Sequence, residues 1–483
     1  MLFNSFEFIA FFTIIALIYY LLPKSLQWIW LLIGSIFFYM YSQLALIIIP
    51  LSIIIITYLC GYYIEKSAVE KRKKYIYLAG IIANISFLLL LKYFNFFSLT
   101  LTSIFNSVNT AFFKSAEQTN HPFLLNLAVP LGISYITFQA MGYLIEVYRG
   151  THPAEKNFGH FITYLLFFPK IVAGPVERAH HFLPQIKTGK SFDYDTIVLG
   201  LRLMLWGFFK KLVIADRLEL YNSSVLDNYS HHNSITLAFT AVLCAIQLYA
   251  DFSGYTDIAL GLAKVLGFDL TPNFNRPFFS KSITEFWRKW HISLSKWFLD
   301  YVYTGVTISL RDWGKWSPIF ALNITFILLG LWHGPNWTFV IFGMLQGLAL
   351  TLEFLTRKSR KKLREKLPVA VNTLVGVFIT FGYFCFSLIF FRANSVKQAL
   401  TIIGKIFQAS KGSIFIGSVS TMFYAIIGVT ILFITEYFQE NHPKFLLINN
   451  RHRIVRHATY VTLILLIILF GVFNESQFIY FKF

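Results

Sequence analysis

Apolar segments of helical length recur along the whole 483-residue chain, and this feature restricts the possible fold more than any other. Hydrophobic residues make up 56% of the sequence and charged residues only 13%, whereas a typical soluble domain has about 25% charged residues. A single core stops growing near roughly 300 residues and could not hide this much apolar surface from water. The segments also lack the ten-residue alternation of a membrane barrel. We therefore predict an all-α, polytopic membrane protein.

The apolar segments predict about 11–12 transmembrane helices, because a helix needs roughly 20 residues to cross the hydrocarbon of a bilayer. No basic leader or small-residue cleavage site marks the first segment, so we expect an uncleaved first span with its N-terminus outside. The predicted spans lie near 7–23, 27–48, 50–64, 75–91, 125–148, 197–214, 236–266, 317–333, 337–355, 369–391, 419–438 and 458–473.

Two further apolar segments differ from simple spans. The segment 93–113 is rich in Asn, Ser and Thr, which favours an interfacial helix. The segment 158–175 ends with two prolines, a lysine and a glycine, which favours a broken or re-entrant element enclosed by protein, where its backbone groups find partners. The sequence has no evident repeat or soluble-domain linker, so we predict a single membrane domain over residues 1–483.

The distribution of charge predicts the topology. A formal charge of +19 is compatible with nucleic-acid binding, but cytoplasmic loops of membrane proteins also collect Lys and Arg. With the N-terminus outside, the predicted inner segments hold 30 of the 42 Lys and Arg residues, and the outer segments hold 8. This asymmetry favours both termini outside and no nucleic-acid partner. The three cysteines lie far apart, so neither a disulfide framework nor a metal site is expected.

The segment 272–303 is too polar to cross a bilayer and too aromatic for an ordinary loop. Ser282 or Thr284 can cap a helix in which aromatic and apolar residues form one stripe. Such a basic, aromatic helix normally lies in the membrane interface, although its basic residues could instead meet a polyanionic substrate. The interfacial interpretation does not explain His291. The predicted stripe comprises Trp287, Trp290, Leu294, Trp297 and Tyr301.

The segment 322–347 places His333 inside an otherwise apolar helical hairpin. An ionisable residue at membrane depth indicates a functional site, and histidine transfers protons near neutral pH. Gly330, Gly334 and Pro335 flank it and predict a break in the helix. The alternative is a structural histidine bonded to a neighbouring carbonyl.

Acidic and amide side chains also occur inside predicted spans. Asp251 and Asp257 lie in 236–266, where they could support a catalytic base or brace helix ends, and the sequence favours neither. Gln139 and Glu146 in 125–148 are expected to make interhelical hydrogen bonds.

Taken together, these segments resemble the membrane-bound O-acyltransferase (MBOAT) family. The strongest motifs are FWRKWHISLSKWF around His291 and GLWHGPNWTF around His333. The segments VPLGISYITFQAMGYLIEVYRG, FFPKIVAGPVER, GFFKKLVIADR, YADFSGYTDIALG and FIYFKF are similar to its bacterial branch of alginate and peptidoglycan O-acetyltransferases. D-Alanyl transferases are more distant members.

The resemblance implies a ring of helices around a thinned centre, with N-terminal helices over about 1–122, a core over about 123–355 and C-terminal helices over about 369–483. It also implies that His333 is the family's invariant histidine and His291 the second one. We expect His333 to act as general base. Supporting roles are expected for Asn323 or Asn336, which could fix its tautomer, for Trp332, which could exclude water, and for Asp251.

The acyl donor implied by the resemblance is acetyl-CoA, used as a substrate, and no permanently bound cofactor or metal is expected. Its phosphates cannot cross lipid unaided, so it must enter from the inner face. The residues expected to contact the donor are Arg276, Lys281, Trp287, Arg288 and Lys289.

We therefore expect a multi-pass O-acetyltransferase of the bacterial inner membrane, acting on a cell-envelope polysaccharide with the help of an outer-face O-acetyltransferase partner. Peptidoglycan is the favoured acceptor, and alginate, another exopolysaccharide or D-alanyl transfer are alternatives. A proton- or ion-coupled transporter is the rival from another class, and the lack of inverted repeats in the sequence weighs against it.

Overall fold

The computed structural model describes residues 1, 3–113, 121–172, 174–442 and 447–473. Regular structure within these residues is entirely helical, which confirms the predicted all-α fold. The FIYFKF tail and the predicted outer C-terminus lie outside the described residues. The N-terminal helices are α1 (Phe6–Leu21), α2 (Gln27–Gln43), α3 (Ile48–Lys66), α4 (Glu70–Leu88) and α5 (Phe94–Phe113).

The central helices begin with α6 (Ile133–Tyr148), α7 (Phe158–Leu166), α8 (Phe168–Ile171), α9 (Ala179–Lys187), α10 (Tyr194–Phe208), α11 (Asp216–Leu226) and α12 (Ser234–Val265). They continue with α13 (Ile283–Lys289), α14 (Ile292–Phe298), α15 (Thr304–Ser309), α16 (Trp316–His333) and α17 (Trp337–Leu355). The C-terminal helices are α18 (Arg357–Glu365), α19 (Val369–Arg392), α20 (Val396–Phe407), α21 (Val419–Asn441) and α22 (Arg453–Phe470).

By length and composition, 8 helical runs of the described chain can cross a membrane. They are Gln27–Lys66, Glu70–Ala111, Ser234–Val265, Trp316–His333, Trp337–Leu355, Val369–Arg392, Val419–Asn441 and Arg453–Phe470. Three predicted spans coincide with shorter helices, because α1 and α6 have 16 residues each and α10 has 15. The chain is therefore a polytopic membrane protein, with fewer long spans than predicted.

The run Gln27–Lys66 combines two predicted spans in one bent path. Its backbone breaks at Gln43 (φ −153°, ψ 72°) before a short 3-10 turn. The side chain of Gln27 donates a hydrogen bond to the carbonyl of Lys190, and the carboxylate of Glu65 accepts one from the nearby backbone N–H of Ala154. The side chain of Gln43, at the bend, instead bonds to Leu131. Both ends therefore meet one group of loops and the bend meets another.

Two predicted segments have different bounds in the structure, and local features of the backbone explain both differences. The span expected from 125 begins only at Ile133, because Pro130 lacks a backbone N–H and Gly132 adopts a left-handed conformation (φ 67°) that starts the helix afresh. The segment 93–113 is continuous with α4 through a π-turn at Leu89–Tyr93, rather than separate.

The predicted single helix after Ser282 is broken in the structure. Ser282 caps α13 as expected, but His291 adopts a left-handed conformation (φ 42°) and starts the separate helix α14. Asn273 explains the break, because its carbonyl and side chain accept hydrogen bonds from the first backbone N–H groups of α14. The membrane-interface interpretation is wrong for most of the stripe, since Trp287, Trp290, Leu294 and Trp297 are buried inside the protein.

The segment 158–175 forms the predicted broken element. It divides into α7 and α8 at Phe167, whose backbone (φ −51°, ψ 108°) is not helical, and the residues Tyr164–Ile171 are all buried within the protein. Lys170 is among them, and its Nζ atom lies 2.5 Å from the side-chain oxygen of Gln139 on α6.

Loops that the charge pattern assigns to one side also contact one another. On the side predicted to face the cytoplasm, Lys187 pairs with Glu155, Arg178 with Asp300, and the Arg364 guanidinium donates to the carbonyl of Lys281. On the other side, side chains join residues 95 to 125, 233 to 413, 221 to 415 and 336 to 394. The loops thus form two groups that match the two predicted faces.

Candidate active site

A close pair of helices, α16 and α17, positions His333. The two helices touch at Gly330 and Gly343, where a Cβ atom would lie 2.3 Å and 2.2 Å from a backbone oxygen of the other helix. The α16 helix ends at His333 because Gly334 is extended and Asn336 caps the start of α17. The predicted break around His333 is therefore present, and it leaves the imidazole at the tip of a rigid hairpin.

His333 is buried among aromatic rings from three helices. Its ring centroid lies 5.1 Å from that of Trp332 and 5.0 Å from that of Phe391 on α19. The Lys92 ammonium approaches the main-chain oxygen of His333 at 3.3 Å, and the Tyr93 hydroxyl donates to the carbonyl of Leu331 at 2.9 Å. A cation at the last carbonyls of a helix satisfies groups that have no partner within the helix. These contacts fix the end of α16.

His291 lies beside the same tryptophan. It is 1% exposed, and its ring centroid lies 5.8 Å from that of Trp332 and 4.7 Å from that of Phe252 on α12. The residue lies outside the spanning helices, and burial lowers its pKa to about 3, so the imidazole is neutral. The structure thus places His291 inside the protein, with Trp332 in contact with both histidines.

Several buried polar atoms around Trp332 make no hydrogen bond to the described chain. They are both ring nitrogens of His291, the indole nitrogen of Trp332 and the hydroxyl of Tyr135, whose ring centroid is 5.3 Å from that of Trp332. A buried polar group without a partner costs about 1–3 kcal/mol, so a cluster of them requires an explanation. Polar groups of a bound substrate provide one, and the cluster lies next to His333.

Arg276 and Lys289, two of the predicted donor contacts, meet at one carboxylate. Glu440 on α21 lies 2.8 Å from Nε of Arg276 and 2.7 Å from Nζ of Lys289. Lys289 also pairs with Glu285 at 3.0 Å. Both basic side chains are thus held together at the end of α21. More than 150 residues of chain separate Glu440 from each of them.

The other predicted donor contacts lie apart from this pair. Arg288 is exposed and has no ion pair within the described residues. Lys281 is exposed, and its backbone N–H and carbonyl bond to Glu285 and Arg364. Trp287 is buried between α16 and α17, where its indole N–H donates to Gln346 at 3.2 Å. Trp287 therefore packs the helices around His333 rather than facing the basic surface.

The side chains of three predicted supporting residues make hydrogen bonds or ion pairs with groups other than the His333 ring. The amide of Asn323 donates to Ile319 and Thr351, and ten residues of helix separate it from His333 by about 15 Å. Asn336 caps α17 and donates to the carbonyl of Asn394. Asp251 pairs with Lys211 at 2.7 Å, and Lys211 pairs equally closely with Asp216. These side chains brace helices, whereas Trp332 is the predicted neighbour that does contact the histidines.

A cavity of about 950 Å³ lies between α10, α12, α21 and α22. Of the donor contacts predicted from the sequence, only Arg276 lines this cavity. The cavity was not predicted, because its walls come from four helices that are distant in sequence. In the part of the chain that the structure describes, no three His, Cys, Asp or Glu side chains are grouped to hold a metal ion.

Sequence reasoning missed several residues of this site. Lys92 is a lysine at the end of an apolar segment, and this position was the available signal. Tyr135, Phe391 and Glu440 gave no such signal, because each reaches the site only through contacts with distant parts of the chain.

The fold and site define an integral membrane protein with two buried histidines that contact one tryptophan. The description "MBOAT, membrane-bound O-acyltransferase family" matches residues 8–393, and the chain belongs to this family. It is an O-acyltransferase.

Three relatives of this chain have names that indicate different acyl-transfer activities. The chain is 33% identical to the probable alginate O-acetylase AlgI of Pseudomonas aeruginosa over 410 residues, which cover 83% of this chain and 73% of that protein. It is 31% identical to the peptidoglycan O-acetyltransferase of Helicobacter pylori, over 79% of this chain and 73% of that protein. It is 30% identical to the teichoic acid D-alanyltransferase of Bacillus subtilis, over 58% of this chain and 73% of that protein.

Proposed function

We propose that this O-acyltransferase takes acetyl from acetyl-CoA at the basic face and delivers it, across the membrane, for O-acetylation of a cell-envelope polysaccharide. In the reaction the thioester C–S bond breaks and an ester C–O bond forms. The proton of the acceptor hydroxyl leaves with His333, and it ends on the sulfur of the released CoA. The reaction therefore balances without any further reactant.

The cluster around Trp332 is the observation that carries this proposal. Transfer between an inner donor and an outer acceptor needs a site reachable from both faces, and the two histidines meet at one tryptophan between the two groups of loops. The unsatisfied nitrogens of His291 and the hydroxyl of Tyr135 can bond the thioester oxygen or the incoming hydroxyl. His333 acts as general base and His291 orients the donor.

Peptidoglycan is the acceptor that we favour. One relative is a peptidoglycan O-acetyltransferase and another a probable alginate O-acetylase, so both acceptors agree with the relationships. We further propose that the protein lies in the inner membrane with its basic loops in the cytoplasm. With an outer-face transferase present, the hydroxyl that His333 deprotonates is that partner's; a second transfer then breaks the partner's ester C–O bond, forms an ester on a hydroxyl of the polymer and returns the proton to the partner.

Transfer by the purified protein in nanodiscs tests the proposal. Radiolabelled acetyl-CoA is supplied with peptidoglycan fragments, alginate oligosaccharides or no acceptor, and acetyl ester and free acetate are measured. We expect ester on peptidoglycan fragments, or slow release of acetate if the outer-face partner is required. Activity with alginate alone would change the acceptor. Activity only with D-alanyl thioesters would overturn acetyl as the transferred group.

A further inference from the structure

The short helix α18 carries a dense positive charge. Six of its nine residues are basic and one is acidic, and all of them except Arg360 are exposed. Residues three or four positions apart lie on the same face of a helix, and like charges at that spacing destabilise it. One face of α18 has basic residues at four such positions and, together with Glu365, surrounds a surface groove of about 420 Å³. The four basic residues of this face are Arg357, Arg360, Lys361 and Arg364.

Carboxylates of the protein compensate only a small part of this charge. Arg360 pairs with Glu353 at 3.3 Å, and Lys361 approaches Glu365 at 4.0 Å, where both side chains are largely exposed. An ion pair between exposed side chains contributes little to stability. Four basic side chains of α18 make no ion pair with the described residues, and an external anion would offset their repulsion. They are Arg357, Lys358, Lys362 and Arg364.

The helix lies at the surface of the membrane, because both of its ends continue into spanning helices. Only residues 356–368 separate the end of α17 from the start of α19. Exposed apolar side chains flank α18 on both sides. Leu352 and Leu355 precede it, and Val369 and Leu374, which are 82% and 71% exposed, follow it. Such side chains of a spanning helix face lipid, so the basic residues between them lie at the level of the lipid headgroups.

Contacts with the rest of the protein hold α18 in one orientation. The Arg360 guanidinium donates a hydrogen bond to the carbonyl of Glu353 at 2.7 Å, and the Arg364 guanidinium donates one to the carbonyl of Lys281 at 3.1 Å. The side chain of Asn372 on α19 donates to the carbonyl of Arg364 at 2.6 Å. The basic groove is therefore built into the fold by α17, α19 and the segment before α13.

We propose that this groove binds the headgroups of anionic phospholipids in the leaflet on the predicted cytoplasmic side. The lipid phosphate accepts charge-assisted hydrogen bonds from Arg357 and Lys361. The acyl chains lie along the exposed apolar residues at the ends of α17 and α19. A basic cluster directly beside a spanning helix attracts anionic lipid, and the apolar flanks favour lipid over a soluble anion. Lipid binding is independent of the acyl-transfer reaction, so either can fail without the other.

Fluorescence quenching by labelled lipid tests this site in the full-length protein. A fluorophore is attached to Ser359→Cys on α18, in a background that lacks Cys60, Cys244 and Cys385, and the protein is placed in phosphatidylcholine nanodiscs. Phosphatidylglycerol and phosphatidylcholine that carry the same nitroxide are then compared as quenchers. We expect phosphatidylglycerol to quench at a mole fraction about fivefold lower, the effect of one basic residue near an anionic surface. High salt should weaken this preference, since it screens exposed charges.

Two double variants remove the same net charge from the predicted cytoplasmic side. Arg357→Gln with Lys361→Gln removes charge from the groove and should make the two lipids equal as quenchers. Lys71→Gln with Lys74→Gln, on exposed side chains at the start of α4, is the matched control and should keep the preference for phosphatidylglycerol. Thermal unfolding and gel filtration of each variant verify that the fold is retained.

Three results would overturn the lipid site. The first is equal quenching by both lipids in the protein without these double substitutions. The second is loss of the preference in both double variants, which would make it an effect of net charge rather than of the groove. The third is loss of the preference when millimolar inorganic phosphate is added at constant ionic strength, which would make the groove a site for a free anion.

Discussion

His333 could be identified from the sequence because an ionisable residue in an apolar hairpin is a local feature. Its ring partner Phe391 and the cap Tyr93 could not, because they approach from parts of the chain that are 58 residues or more away. Asn323 and Asn336 remain predicted partners of the imidazole, and the structure shows other hydrogen bonds for both amides. Proximity in sequence favoured them, but helix geometry and capping direct both amides elsewhere.

Replacing His333 with alanine should abolish acetyl transfer. A hydroxyl is a poor nucleophile until its proton is removed, and loss of a positioned base typically lowers the rate by about 10²–10⁴. CoA binding should persist, because His333 is proposed to act on the acceptor hydroxyl rather than to hold the donor. Transfer assays and CoA dialysis on the same His333→Ala preparation check both expectations. Near-normal turnover, or loss of activity only through misfolding, would make His333 a structural residue.

The left-handed backbone of His291 allows its imidazole to be tested without breaking the turn. Asparagine and glycine tolerate this conformation, whereas alanine is strained by about 1–2 kcal/mol. We expect His291→Asn to keep the thermal stability of the wild-type protein and to reduce transfer less than His333→Ala does. His291→Ala should lower both stability and transfer. Equal transfer in His291→Asn and the wild type would leave the histidine with a turn-forming role alone.

At the scale of elements, the sequence predicted helices well where a local cap marks their first turn. Ser282 starts α13 and Asn336 starts α17, as their side chains allow. The break at His291 could not be predicted, because the aromatic spacing continues unchanged across it. Asn273 causes it from 18 residues upstream, by supplying partners to the N–H groups of a new helix. A loop partner thus overrode a regular helical pattern.

The contact between α16 and α17 should depend on Gly343. A Cβ atom there would lie 2.2 Å from the carbonyl oxygen of Phe326, so the two helices would have to separate. We expect Gly343→Ala to lower the unfolding temperature and to reduce transfer by displacing His333. The control is Gly382→Ala on α19, where a Cβ atom meets nothing within 4 Å. Its stability should be unchanged or higher, because alanine favours helix by about 1 kcal/mol over glycine.

At the scale of the whole molecule, composition and loop charge were sufficient to predict the class of protein and the division of its loops into two groups. Each of the twelve predicted spans falls on a helix of the described chain, but three of these helices are short and two others join in one bent run, because proline, glycine and buried partners break the apolar segments. The cavity lay beyond prediction entirely, because its four helices come from opposite halves of the chain. The two groups of loops nevertheless agree with the charge pattern, since loops assigned to the same side bond to one another.

This agreement makes the orientation testable with two single cysteines. Lys361 is an exposed residue of the basic helix α18, and Lys411 is an exposed residue of the loop that bonds to the 229–236 region. In a background lacking Cys60, Cys244 and Cys385, a cysteine at 361 should react with membrane-impermeant thiol reagents only from the cytoplasm, and one at 411 only from outside. Labelling of intact cells and of inside-out vesicles distinguishes the two cases. Reaction from the same side would mean that α19 does not cross the bilayer. The reverse pattern would place the basic loops outside, where no acetyl-CoA is available, and the proposed direction of transfer would fail with it.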